Sequence, residues 1–184
     1  NKLKNFVADG LVFKEDPARV YEYKALASHI TGFVNYEGKG TDGIESSFET
    51  DLKGKEGSRF VLKDGLGNVM SVLEENYKDA VAGRNIVLTI DRGIQAALEA
   101  ELMEGAKTAK AENATGIVMD PNTGEILALA NYPSYEPGNY SDFSDEVRRN
   151  KAISDVYEPG STFKGIAMAG ILDKKLATPS TVVN

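Results

Sequence analysis

The 184-residue sequence predicts an α+β protein. Three observations carry that class. Up to residue 83, short apolar runs are cut by glycines and Asp-Gly pairs, the pattern of short strands and turns. From residue 84, a strand-like run, a helical periodicity and a hairpin signal follow one another, as in a sheet covered by helices. Near the end, an apolar run from Phe163 predicts a second helix buried on most sides.

Each element has its own warrant. FVADGLVF (Phe6 to Phe13) alternates loosely and is broken at Asp9-Gly10, a turn signal. The stretch from Ala27 to Gly57 holds Gly38, Gly40, Gly43, Gly54 and Gly57, which mark turns and caps. In RFVLKDGLGNVMSVLEE, Asp64-Gly65 lies between two apolar runs and predicts a strand pair. This first part carries no convergent set of catalytic residue types and reads as scaffold or interaction module.

The texture changes near Ala82-Gly83. NIVLTI (Asn85 to Ile90) is a β-rich run, and Asp91 is placed to cap a helix from Arg92 to about Lys110. Ile94, Leu98 and Leu102 recur every fourth residue there. In TGIVMDPNTGEILALA, two apolar arms (115–119 and 125–130) flank Asp120-Pro121-Asn122-Thr123-Gly124, where Pro presets φ and Gly accepts a positive one. Arms apolar on both faces predict helices on both sides of the sheet.

Bulk properties exclude several functions. A net charge of −7 with no basic cluster argues against nucleic acid as a partner. The absence of cysteine removes disulfides and thiolate metal sites, and a lone histidine, His29, reads as a packed or surface residue. No apolar run approaches the ~18–20 residues of a membrane span. The chain opens at Asn1 and stops just after a helical pattern, which suggests a piece of something longer.

The sequence YEPG occurs twice. At Tyr135 it runs into NYSD and reads as a loop. At Tyr157 it runs into STFKGIAMAGIL, placing Ser161 at the start of a helix and Lys164 three residues on. Ser161 fits a helix cap, which contributes ~0.5–2 kcal/mol relative to alanine. A capping box, however, would want Glu or Gln at the third position, and a cation in the first turn opposes the helix dipole. The same spacing sets the two side chains on one face, with Cβ atoms roughly 5–6 Å apart. Burial and the positive helix end would disfavour the ammonium of Lys164, making it a general base for the Ser161 hydroxyl. The Ser161 backbone N–H could help hold an oxyanion. Both uses of Ser161 remain open on spacing alone.

RRNKAISDVYEPGSTFK (Arg148 to Lys164) resembles the active-site segment of class B penicillin-binding proteins, the peptidoglycan D,D-transpeptidases. Its Arg149-Asn150 and Asp155-Val156-Tyr157 flanks are most similar to the septal, cell-division type. TGIVMDPNTGEILALANYPSYEPGN resembles the hairpin and loop upstream of that family's nucleophile, and NIVLTIDRGIQ the strand and helix that open its transpeptidase domain. ARVYEYKALASHITGFVNYEGKGTDGIESSFETDLKGKEG resembles the tail of the pedestal, or dimerisation, domain. The resemblance covers about 24 to 175. It implies a pedestal portion over 1–83 and the N-terminal part of a β-lactamase/transpeptidase-like domain over 84–184.

The resemblance further implies Ser161 as nucleophile and Lys164 as its base. The partners it implies are stem peptides ending in D-Ala-D-Ala and β-lactam antibiotics, with no metal or cofactor. Division-machinery proteins would dock on the pedestal. A membrane anchor upstream of Asn1 would hold the protein on the outer face of the cytoplasmic membrane. The family completes its site with a Ser-x-Asn motif and a Lys-Thr-Gly strand. Neither motif occurs in these residues, so residues 1–184 alone are expected to be inactive. Competing readings are a β-lactam sensor, a serine β-lactamase, or a non-catalytic scaffold acting through residues 1–83.

Overall fold

The structure, a computed structural model, describes residues 18–65 and 69–182. The FVADGLVF segment lies outside them. Two compact units are present, one ending at Ala152 and one beginning at Ile153.

In the first unit, residues 28–53 form three short helices: α1 (Ser28–Thr31), α2 (Gly43–Ser47) and α3 (Glu49–Lys53). Short strands and turns were expected here. Ile44, Phe48 and Leu52 recur at four-residue spacing, a helical signal hidden by the glycines around it. Helices this short have too few hydrogen bonds to stand alone and form through tertiary packing. Gly32 supplies the close approach: φ is 72°, and a Cβ there would lie 1.8 Å from the Asp42 carbonyl oxygen. The expected strand pair follows as β1 (Ser58–Lys63) and β2 (Val69–Lys78), antiparallel, with Phe60 opposite Leu73 and Leu62 opposite Ser71.

NIVLTI is not a strand. It runs extended beside the next sheet, joined to it by Thr89 Oγ1 donating to the Ile126 carbonyl (2.6 Å) and by Asp91 N–H donating to the Leu127 carbonyl (2.8 Å). Val87 is 93% exposed, so the apolar run gains no burial that would draw it into a ladder.

Helix α4 (Arg92–Ala109) begins where expected, with the Asp91 carboxylate accepting from Ile94 N–H at 2.9 Å. It packs on a hairpin of β3 (Ala114–Met119) and β4 (Ile126–Tyr132), paired antiparallel with Gly116 opposite Ala130. The turn matches its sequence signal: Asp120 accepts from Asn122 N–H at 2.7 Å, and Gly124 has φ 79°. Gly116 leaves room for Leu98, whose Cδ1 would lie 2.9 Å from any Cβ there. Gln95, 1% exposed, donates to the Leu129 carbonyl and accepts from its N–H, each at 2.8 Å. One side-chain amide thus stands in for a strand at the free edge of β4.

Helix α4 covers one face of this hairpin. The other face is covered only in part: Leu129 and Asn131 of β4 are buried, whereas Ile117 and Met119 of β3 are 47% and 53% exposed. Past β4 the chain makes a 3₁₀ segment (Pro137–Asp142), α5 (Asp145–Arg148) and α6 (Lys151–Ser154). The core gathers here. Tyr135 packs edge-on against His29 and Phe33, Phe33 stacks on Tyr140 at 4.3 Å, and the Arg148 guanidinium lies 5.1 Å from the Phe33 ring centre. The second unit holds a 3₁₀ turn (Gly160–Thr162) running into α7 (Phe163–Asp173).

Candidate active site

Pro159 and Gly160 bring the backbone into the Ser161 turn, where Gly160 takes φ 50°, a conformation that favours glycine. The Thr162 N–H bonds the Pro159 carbonyl at 3.0 Å, closing that turn. Thr162 and Phe163 both have right-handed helical dihedrals. Ser161 and Lys164 therefore follow a continuous helical path, three residues apart on one face.

One alternative from the sequence is now decided. Ser161 is not the cap of α7. The residue before the helix is Thr162, and neither Pro159 nor Thr162, at the two cap positions, makes a side-chain cap bond. Among the described residues the Ser161 hydroxyl makes no hydrogen bond to the backbone. Nor does it bond Lys164: among the described residues, no hydrogen bond joins the two side chains.

The expected burial of this helix is absent. Ser161 and Lys164 are exposed, and Phe163, Ile166 and Met168 are 55%, 68% and 52% exposed. A unit built on one helix of 11 residues has too little chain to enclose an apolar surface on all sides. The described residues of this unit do not bury Lys164.

The first unit contains what sequence reasoning missed. His29 is packed, 6% exposed, with Nε2–H donating to the Val147 carbonyl at 2.9 Å. The carbonyl can only accept, so Nε2 carries a proton. Burial pushes its pKa below the ordinary value, against the Val147 bond and the charges of Glu99 and Asp42, with Lys151 acting in the same sense as burial. Tyr135, expected in a loop, is 1% exposed and donates its hydroxyl to the Ser28 carbonyl at 3.1 Å. Burial raises that phenol's pKa well beyond its usual range. Asn131 and Lys151 are also buried. Asn131 bonds Asn150 and Ala152, and Lys151 reaches back to Asn113 as well as to nearby Glu146, so most of these partners lie beyond any local pattern.

Comparison with known proteins finds relatives along nearly the whole chain. The Penicillin-binding Protein dimerisation domain matches residues 2–88, and the Penicillin binding protein transpeptidase domain matches residues 114–184. The chain belongs to the class B penicillin-binding proteins, and the two matched domains follow one another along it. Over 182 residues it is 36% identical to the peptidoglycan D,D-transpeptidase FtsI of Escherichia coli K12, covering 99% of this chain and 31% of that protein. Over 173 residues it is 37% identical to the probable peptidoglycan D,D-transpeptidase PenA of Neisseria gonorrhoeae, covering 94% and 30%. Penicillin binding protein 3 of Mycobacterium tuberculosis superposes with TM-score 0.72 at 28% identity, covering 90% of this chain and 34% of that one. That protein has also been solved with aztreonam and with ampicillin. The chain spans about a third of the length of these relatives.

Proposed function

We propose that this chain is part of a peptidoglycan D,D-transpeptidase that cross-links stem peptides during cell division. Ser161 is the nucleophile and Lys164 its general base. The observation that carries this is a serine hydroxyl left free of capping at a helix start, three residues from a lysine, within the matched transpeptidase region.

The chemistry follows from those two groups. Lys164, as a neutral amine, takes the Ser161 proton while Oγ attacks the carbonyl of the penultimate D-alanine. The C–N bond to the terminal D-alanine breaks, the proton passes to its amine, and D-alanine leaves. An amine from a second stem peptide then attacks the ester, displaces Oγ, and returns its proton to the serine. A β-lactam enters by the same first step, but its ring nitrogen stays attached and the acyl-enzyme persists.

Residues 1–83 are the end of the pedestal and 84–184 the beginning of the transpeptidase domain, a division supported by the matched ranges 2–88 and 114–184. The dimerisation-domain match favours this reading over a β-lactam sensor or a serine β-lactamase, neither of which needs a pedestal. The pedestal is the surface offered to division partners. An anchor upstream would hold the protein at the outer face of the cytoplasmic membrane.

Intact-mass analysis of the full-length protein after incubation with penicillin tests the reading. A single long-lived adduct mapped to Ser161 is expected. Rapid loss of that adduct would indicate a β-lactamase, and no adduct on a folded protein would leave the scaffold reading. Residues 1–184 alone should show little acylation.

A further inference from the structure

Lys151 stands where an apolar residue would be expected, with 5% of it exposed. Its ammonium meets Glu146 Oε1 at 2.8 Å and the side-chain oxygen of Asn113. The hydrogen bond from Lys151 is the main reason the Glu146 carboxyl titrates below its ordinary value. Removing a cation from water is costly, and an apolar residue of similar size is often as stabilising as a buried ion pair. Specifying one arrangement of the chain is the better account of such a residue.

The residues on either side behave alike. Asn131, on β4 and 4% exposed, donates from Nδ2 to Asn150 Oδ1 at 3.0 Å. Its Oδ1 accepts from the Ala152 N–H at 2.8 Å. Asn150 Nδ2 donates to the His29 carbonyl at 3.3 Å. Three consecutive residues, 150 to 152, are thus tied to α1, to β4, to α5 and to the turn before β3. From Ile153 to Gly160 every residue is exposed.

We propose that Asn131, Asn150 and Lys151 clamp the point from which the chain departs toward Ser161, acting as positioning residues for acyl transfer. The proposal rests on Ser161 being the nucleophile. The nine steps from residue 152 to residue 161 can span at most roughly 30–32 Å, so the place where residue 152 is held bounds where Ser161 can go. A slack origin adds conformers that must be lost again in the transition state. Misplacement by about 1 Å at a reacting centre costs on the order of a hundredfold in rate.

The test separates binding from chemistry in the full-length protein, using penicillin. Lys151→Met leaves Glu146 solvated and should slow the acylation step by roughly tenfold to a hundredfold, with reversible penicillin binding unchanged. Lys151→Arg, which keeps the charge and can reach the same carboxylate, should recover most of that loss. Should Lys151→Met fail to fold, Asn131→Ala removes only the bonds to Asn150 and Ala152 and is measured in its place. A folded variant acylating at the wild-type rate overturns the clamp. Amide hydrogen exchange gives an answer independent of Ser161: residues 153–160 should exchange faster in the variant while α4 does not change. Unchanged exchange at 153–160 overturns the clamp as well. An adduct that survives in Ser161→Ala sinks the nucleophile assignment instead, and exchange then decides the clamp alone.

Discussion

The two YEPG segments share four residues and little else. Tyr135 is 1% exposed, whereas Tyr157 is 71% exposed. The first segment places Pro137 inside the core and begins a 3₁₀ segment against the aromatic cluster; the second leads through an exposed Gly160 into the serine turn. Tyr135 is buried because Ser28, His29 and Phe33 arrive from more than a hundred residues away to receive it. Among the described residues of the second unit, nothing of that kind covers Tyr157. Identical local chemistry thus serves packing in one place and presentation of a hydroxyl in the other.

That contrast can be pressed experimentally, and the largest effect should fall on the second segment. Ser161→Ala in the full-length protein should reduce the rate of penicillin acylation at least about a thousandfold, read as loss of the covalent adduct by mass. An unchanged rate would place the chemistry elsewhere.

On the first segment the effect should be on stability. Tyr135→Ala removes a buried aromatic and should destabilise the first unit by about 3–5 kcal/mol in urea unfolding. Tyr135→Phe, which loses only the bond to the Ser28 carbonyl, should cost about 0.5–1.5 kcal/mol. Tyr157→Ala should lie within about 0.5 kcal/mol of wild type. Equal losses at both tyrosines would erase the distinction.

A smaller, pH-dependent effect comes from His29, which packs on Tyr135. Its folded-state pKa lies below the ordinary value of 6.5, chiefly through burial. Between those two values the unfolded chain binds the proton and the folded chain does not, so stability rises with pH. The contribution should be complete above about pH 6.5 and lost as pH falls through the folded value. Urea midpoints measured across that window should slope for wild type and lose this component in His29→Gln.

The smallest effect expected is that of Ser161→Ala on the helicity of residues 153–182. Because Ser161 makes no cap bond, the change should stay within about 0.5 kcal/mol. A loss near the ~1 kcal/mol of a true cap would return Ser161 to a structural role.

How much was legible differs by element. The Asp91-capped helix, the Asp120–Gly124 turn and the Asp64–Gly65 strand pair could be read directly, since each signal and its answer lie within a few residues. The three short helices between Ser28 and Lys53 could not, because their stability comes from neighbours rather than from propensity. NIVLTI misled for the opposite reason: its composition favours a strand, but it is not taken into a ladder. Ser161 and Lys164 stood out through a mismatch with capping rules, which is itself a local signal.

The sequence by itself determined the α+β class, the helix–hairpin order and the placement of Ser161 and Lys164 on one helical face. These follow from short-range steric and hydrogen-bonding preferences along one stretch of chain. Tertiary structure alone decided that Tyr135 is core while Tyr157 is surface. It also decided that Gln95 completes the edge of β4, and that Asn131 ties residues 150 and 152 to that strand. Burial and hydrogen-bond satisfaction depend on groups brought together from distant positions, and no window of sequence contains both halves of such a pair.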